Sequence, residues 1–252
     1  MTKSFQIEVV VDSIETAIGA QQFGATRVEL CSNLAQGGTT PSYGLIEAVR
    51  QAITIPLYVM IRPRGGDFLY TDAEYDIMQK DIVTAKKLKA DGVVFGLLKS
   101  NGVVDVARTR NLVNQSFPMK VTFHRAFDMA NDPLLALRDV IATGANRILT
   151  SGQHPNALEG AAIIQQLVKL AQGKIRIMPG CGVNSENIAE LVAATGASEY
   201  HFTAHRTAEG QMQYRNEKVA MGADGKEFER SLFNSKKLKA IKATLDELAN
   251  AD

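Results

Sequence analysis

Short apolar runs alternate with amphipathic stretches along nearly the whole chain. Phe5 to Val11 reads as a strand, and Asp12 or Ser13 caps a helix that runs to about Phe23. Arg27–Leu30, Ile55–Ile61, Val93–Gly96, Lys120–Phe123, Arg147–Thr150, Ile175–Met178 and Glu199–Thr203 are the further strands. Helical periodicity fills the intervals: from about Pro41 to Ala52, then Glu74–Leu88, Asp105–Asn114, Pro133–Thr143, Ala157–Ala171 and Ser185–Thr195. A polar segment from 204 to 233 follows, and then a helix from Ser235 to Leu248. GAT at Gly24, GAN at Gly144 and GAS at Gly196 each mark a helix end followed by a tight turn into a strand.

Successive strand–helix units close most simply into a ring. The expected fold is therefore α/β, a (β/α)8 TIM barrel, as one domain over residues 1–252. A doubly wound open sheet is the alternative. It would usually run with fewer strands, and no glycine fingerprint follows the first one.

Composition narrows the partners. The chain of 252 residues is 45% hydrophobic and 22% charged, with a net charge of +1, so neither nucleic acid nor an anionic membrane is called for. Cys31 and Cys181 are too few for a disulfide scaffold and fit a reducing, cytoplasmic setting. The N-terminal apolar run is too short for a signal peptide, and no segment is long enough to span a membrane.

In a barrel of this kind the carboxyl ends of the strands form the working face. His124 and Arg125 stand at such an end: an imidazole for acid–base work and a guanidinium fork for a carboxylate or phosphate. The plain alternative is a satisfied core histidine and a structural ion pair. Arg62 and Arg64 flank Pro63 ahead of Gly65 and Gly66 and suggest an anion site, or else an ion pair with Glu29 or Asp67. Ser151 and Gly152 in TSG, and Gly180 and Gly182 in PGCGVN, could offer backbone N–H groups to a phosphate, although turns into helices need glycine anyway. Glu8, Glu29 and His201 lie inside apolar strands, where burial requires that they meet each other or the arginines. Cys31 and Cys181, with His124, His201 and His205, are the soft-metal candidates for Cu(I) or zinc, although a lone cysteine at a strand end is more often a small buried hydrophobe.

Several blocks carry a family resemblance: LCSNL and GGTTPS at 30–42, IRPRGGDF at 61–68, VTFHRAFD at 121–128, RILTSGQ at 147–153 and IMPGCGVNSENI at 177–188. With FQIEVVVD at 5–12 and YHFTA at 200–204 they resemble, in order and over nearly the whole chain, the CutC family of copper homeostasis proteins. The resemblance implies a cytoplasmic, commonly dimeric TIM barrel. It also implies a pocket formed from Glu8, Glu29, Arg62, Arg64, His124, Arg125 and His201, and a copper-handling role in which Cys31 is the thiolate ligand. Two readings follow. One is a copper-linked protein that binds Cu(I). The other is an enzyme or binder for a small phosphorylated or carboxylated metabolite, with His124, Glu8, Glu29 and His201 moving protons and Arg62, Arg64 and Arg125 clamping the anion. A dimeric scaffold with an unused pocket is the bland third.

Overall fold

Strands buried on both faces need continuous apolar runs, and the sequence supplies them. The computed structural model describes residues 4–219 and 227–250. It places β1 at Gln6–Val11, β2 at Arg27–Leu30, β3 at Leu57–Met60, β4 at Gly92–Phe95 and β5 at Lys120–Phe123. Then come β6 at Arg147–Thr150, β7 at Arg176–Pro179 and β8 at Glu199–Thr203. All pairings among them are parallel, in the order β8-β1-β2-β3-β4-β5-β6-β7. The first and last of that order, β8 and β7, touch without a hydrogen-bonded ladder, and their contact closes the ring as a (β/α)8 TIM barrel.

Helices cover the outside, each stopped by local chemistry. α1 (Ile14–Gln22) begins at a Ser13–Thr16 capping box, and α3 (Asp72–Lys87) at a Thr71–Glu74 box. α2 (Tyr43–Ala52) starts behind Ser42, α4 (Val106–Ser116) behind Asp105, and α5 (Pro133–Thr143) behind Asp132 with Pro133 in its first turn. α6 spans Ala161–Ala171 and α7 Ile188–Thr195, each starting a few residues later than periodicity suggests. Gly144 and Gly196 close α5 and α7 in the left-handed region, at φ 86° and 67°, as their GAN and GAS contexts predict.

The segment expected to be merely polar holds a ribbon. β9 (His205–Glu209) pairs antiparallel with β10 (Glu229–Phe233), putting Phe233 opposite His205. Phe233 then stacks on Phe23 of α1 with ring centroids 5.9 Å apart. α8 (Ser235–Asn250) buries Leu238, Ile241 and Leu245 and lies between α7 and α1, completing the outer layer.

Candidate functional site: a buried ion chain beneath a cavity

Strand register assembles the charged centre. Glu8 of β1 is the ladder partner of Arg27 on one side and of His201 on the other. Partners on neighbouring strands share a face, so three polar side chains enter one region of the barrel interior. Arg27 Nε binds Glu8 Oε2, and Arg27 Nη2 donates to Glu199 at 3.0 Å. Arg147 Nε also binds Glu199, and its Nη1 donates to Thr122 Oγ1 at 3.2 Å. Tyr58 lies under both guanidinium groups, its ring centroid 4.9 Å from Arg27 and 5.4 Å from Arg147. On the other side, Glu8 Oε1 is 2.8 Å from His201 Nδ1, and His201 Nε2 is 3.7 Å from Glu29 Oε2. Arg147, Glu199, Arg27, Glu8, His201 and Glu29 thus form one continuous chain of contacts, and all six are buried.

The chain sorts its protons by environment. Burial alone would raise the pKa of Glu8, but Arg27 and His201 outweigh it and hold the carboxyl well below the usual range. Glu29 lacks such a partner. Burial pushes it up to about 7, with Glu8 adding to the rise and His201 opposing it. Burial works against a charge on His201, yet Glu29 and Glu8 raise its pKa. With Glu8 ionised, His201 Nδ1–H donates to it, and Nε2 faces Glu29. The Glu29 carboxyl and the His201 imidazole thus face each other at 3.7 Å, each with its pKa raised.

Above this chain, at the carboxyl ends of the strands, lies a cavity of about 870 Å³, bordered by Glu29, Cys31, Arg62, His124, Arg125 and His201 among others. Three of these residues bring buried polar atoms with no hydrogen-bond partner: Glu29 Oε1, Arg62 Nε and His124 Nε2. Such atoms are costly to bury unless something satisfies them. His124 Nδ1 accepts from the Ala126 backbone N–H at 3.1 Å, which leaves the proton of the neutral ring on Nε2. Burial, and then the charge of Arg62, pushes the His124 pKa down to about 3, so the imidazole is a neutral donor. Gly96 gives that ring its room, since a Cβ there would stand 2.7 Å from His124 Nδ1.

Not every residue singled out in the sequence reaches this cavity. Glu8 is fully buried and does not border the cavity, and it acts there through His201 and through its charge on Glu29. Arg62 borders it, but its Nη1 donates to the carbonyls of Gln36 at 2.7 Å and Gly38 at 2.8 Å, and its Nη2 to that of Gly66 at 2.8 Å. The fork expected to clamp an anion instead ties two loops together. Arg64 lies off the cavity and binds Glu74, Asp67 and the carbonyls of Gly65, Asp67 and Leu69. The glycine loops differ from expectation too. Gly152 N–H is taken by Thr150 Oγ1 at 2.8 Å and Gly180 N–H by Thr150 O at 3.0 Å, and neither residue borders the cavity. Gly152 serves close approach, because a Cβ there would meet the Gly160 carbonyl at 2.5 Å. Gly182 does border the cavity. Ser151 reaches it indirectly, its hydroxyl accepting from Arg125 Nη2 at 3.0 Å.

Arg125 is the best placed of the predicted anion contacts, half-exposed on the cavity wall with Nε on Asp128 at 2.8 Å. Asp128, which sequence reasoning passed over, is the hub of this corner. It accepts from the Thr150 and Ser151 hydroxyls and from the Ser151 and Gln153 backbone N–H groups. Lys237, at the start of α8, adds a second cation to the cavity wall. Arg27 and Arg147 were also missed. Each opens a strand, where an arginine reads as surface charge.

By fold and site the chain is a (β/α)8 TIM barrel whose carboxyl-end cavity is bordered by the carboxylate–imidazole pair Glu29 and His201. The chain belongs to the CutC family, whose model matches residues 5–206. It is 48% identical over 219 residues to the human copper homeostasis protein cutC homolog, covering 87% of this chain and 80% of that one. A Chromobacterium violaceum CutC family protein is also 48% identical, over 241 residues, covering 95% of this chain and 98% of that one. Among solved structures, the putative copper homeostasis protein CutC from Streptococcus agalactiae superimposes with a TM-score of 0.75 at 36% identity, over 79% of this chain and 98% of that one. The thiamine phosphate pyrophosphorylase of Pyrococcus furiosus, at TM-score 0.59 and 15% identity over 97% of this chain and 96% of that one, shares the fold.

Proposed function

We propose that the cavity binds a small carboxylated or phosphorylated metabolite and moves a proton on it. The observation that carries this reading is the pairing of two buried, unpartnered atoms on one cavity, Glu29 Oε1 and His124 Nε2. The first is an acceptor on a group poised near neutrality, and the second is a fixed N–H donor. Glu29 takes a proton from carbon next to a carbonyl. The electron pair moves onto the carbonyl oxygen, and the His124 N–H stabilises the charge developing there. His201 faces Glu29 and shares its proton, and Glu8 holds His201 in register. Arg125 and Lys237 meet the anionic end of the ligand.

The names of the relatives point to copper, and the thiols of Cys31 and Cys181 both border the cavity. The donor set does not fit a resident copper ion. Among the described residues no group of three or more His, Cys, Asp and Glu side chains is placed to hold a metal. Burial, and then Glu29 beside it, pushes the Cys31 thiol well above its ordinary pKa. Cys181 Sγ is already turned to the Pro155 carbonyl at 3.2 Å.

The test is a thermal-shift screen of carboxylated and phosphorylated metabolites, followed by NMR detection of solvent deuterium entering each stabilising ligand. Glu29→Gln should bind the ligand and fail to exchange it. A broad library with no stabilising anion, or exchange that survives Glu29→Gln, overturns the reading.

A further inference from the structure

The opposite pole of the barrel carries a second concentration of charge that the proton-transfer reading does not use. A pocket of about 450 Å³ opens there, bordered by Lys120, Asn146, Arg147, Lys174, Arg176 and Glu199 among others. Strand starts create it. Lys120, Arg147, Arg176 and Glu199 are the first residues of β5, β6, β7 and β8, and Arg147 is the ladder partner of Arg176. Like charges side by side on neighbouring strands repel each other. The one carboxylate at this pocket, Glu199, is already bound to Arg27 and Arg147. The side chains of Lys120, Lys174 and Arg176 have no hydrogen bond or ion pair with a described residue. Arg147, more than nine-tenths buried, spends Nε and Nη1 on Glu199 and Thr122. Arg147 borders the pocket, and its Nη2 has no acceptor among the described residues.

We infer that this amino-pole pocket is a second anion site, which takes a compact multivalent anion of the phosphate class. Arg147 Nη2 supplies a donor held rigid by its neighbours, and Arg176 supplies a free fork suited to phosphate oxygens. Lys120 and Lys174 add charge at the rim, and Asn146 borders the same space. Asn146 is itself fixed, its Oδ1 accepting from the Val121 backbone N–H at 2.8 Å. The inference stands independently of the chemistry at the carboxyl-end cavity.

The test is calorimetric titration of the full chain with pyrophosphate at low ionic strength, with backbone amide shifts mapped by NMR. Lys120→Ala/Arg176→Ala changes two exposed side chains and leaves the buried ion chain intact. It should weaken binding at this pole at least tenfold and abolish the shifts at Asn146 and Ile175. Arg125→Ala/Lys237→Ala should leave both unchanged. The conservative pair Lys120→Arg/Arg176→Lys should restore most of the affinity. Phenyl phosphate, run in parallel, separates the sources: tighter binding than pyrophosphate marks an organic phosphate ester as the occupant, and weaker binding a free inorganic anion. Unchanged affinity in the Lys120→Ala/Arg176→Ala protein, or no binding by the wild type at millimolar pyrophosphate, overturns the inference.

Discussion

Nδ1 of His201 lies 2.8 Å from Oε1 of Glu8, and this contact fixes the ring's orientation toward Glu29. A carboxylate behind an imidazole sets its tautomer and favours its charged form. The Glu8–His201 contact thereby determines which face of the ring is available to the cavity.

Activity should follow the ionisation of Glu29. Because burial raises its pKa to about 7, kcat/KM for proton abstraction should climb with pH and level off above that value. Glu8→Gln removes the charge that supports His201, and it should displace this inflection as well as lower kcat. A loss of kcat with an unmoved inflection would show that Glu8 is structural only.

The same group should leave a mark on stability. Its folded pKa is above the ordinary 4.5, so the native state holds the extra proton between about pH 4.5 and 7. The contribution is present at low pH and declines as pH rises through that window. Glu29→Gln should flatten the decline and melt higher than wild type at pH 8, by about 1 kcal/mol of stability. Parallel melting curves across pH for the two proteins would contradict this.

His124 carries the opposite sign. Its folded pKa of about 3 lies below the ordinary 6.5, so the unfolded chain takes up the proton first. Stability should be fully present above about pH 6.5 and fall with acidification toward pH 3, by up to about 1.4 kcal/mol per pH unit from this residue. Urea midpoints of His124→Gln should show a shallower acid limb.

The arginines should separate by role. Arg125→Ala should weaken binding of an anionic ligand about 10-fold or more while changing stability little, since Asp128 keeps four other donors. Arg62→Ala strands the carbonyls of Gln36, Gly38 and Gly66 and should cost about 2–4 kcal/mol in denaturant titrations. Arg64→Ala should leave ligand affinity at the wild-type level.

Anaerobic Cu(I) competition should give weak binding that Cys31→Ser leaves unchanged, as expected of a thiol kept protonated by burial. Tight one-to-one binding lost in that variant would reinstate copper as the ligand.

Much of the architecture was legible because strands such as LYVM and GVVF are buried on both faces and must read as apolar runs. Glu8, Glu29 and His201 stood out for the same reason, as polar residues where only burial was on offer. Arg27 and Arg147 did not, because only strand register shows that a strand's first residue turns inward. Arg62 and Arg64 misled, since a fork on a glycine loop serves a ligand or the loop's own carbonyls equally well. The HRTAE and ERSLF strands were too polar to stand apart from loop.

The meeting of β7 and β8 without a ladder makes the barrel a clasp rather than a hoop. Seven joints are riveted by backbone hydrogen bonds, and the eighth is a contact without a ladder. One jaw, β8, carries His201, and the other, β7, runs into the turn at Gly182 beside the cavity. Slight parting of the jaws would widen the chamber where the imidazole sits while sparing every riveted joint. Amides along this line should be the first in the barrel wall to trade hydrogen for deuterium.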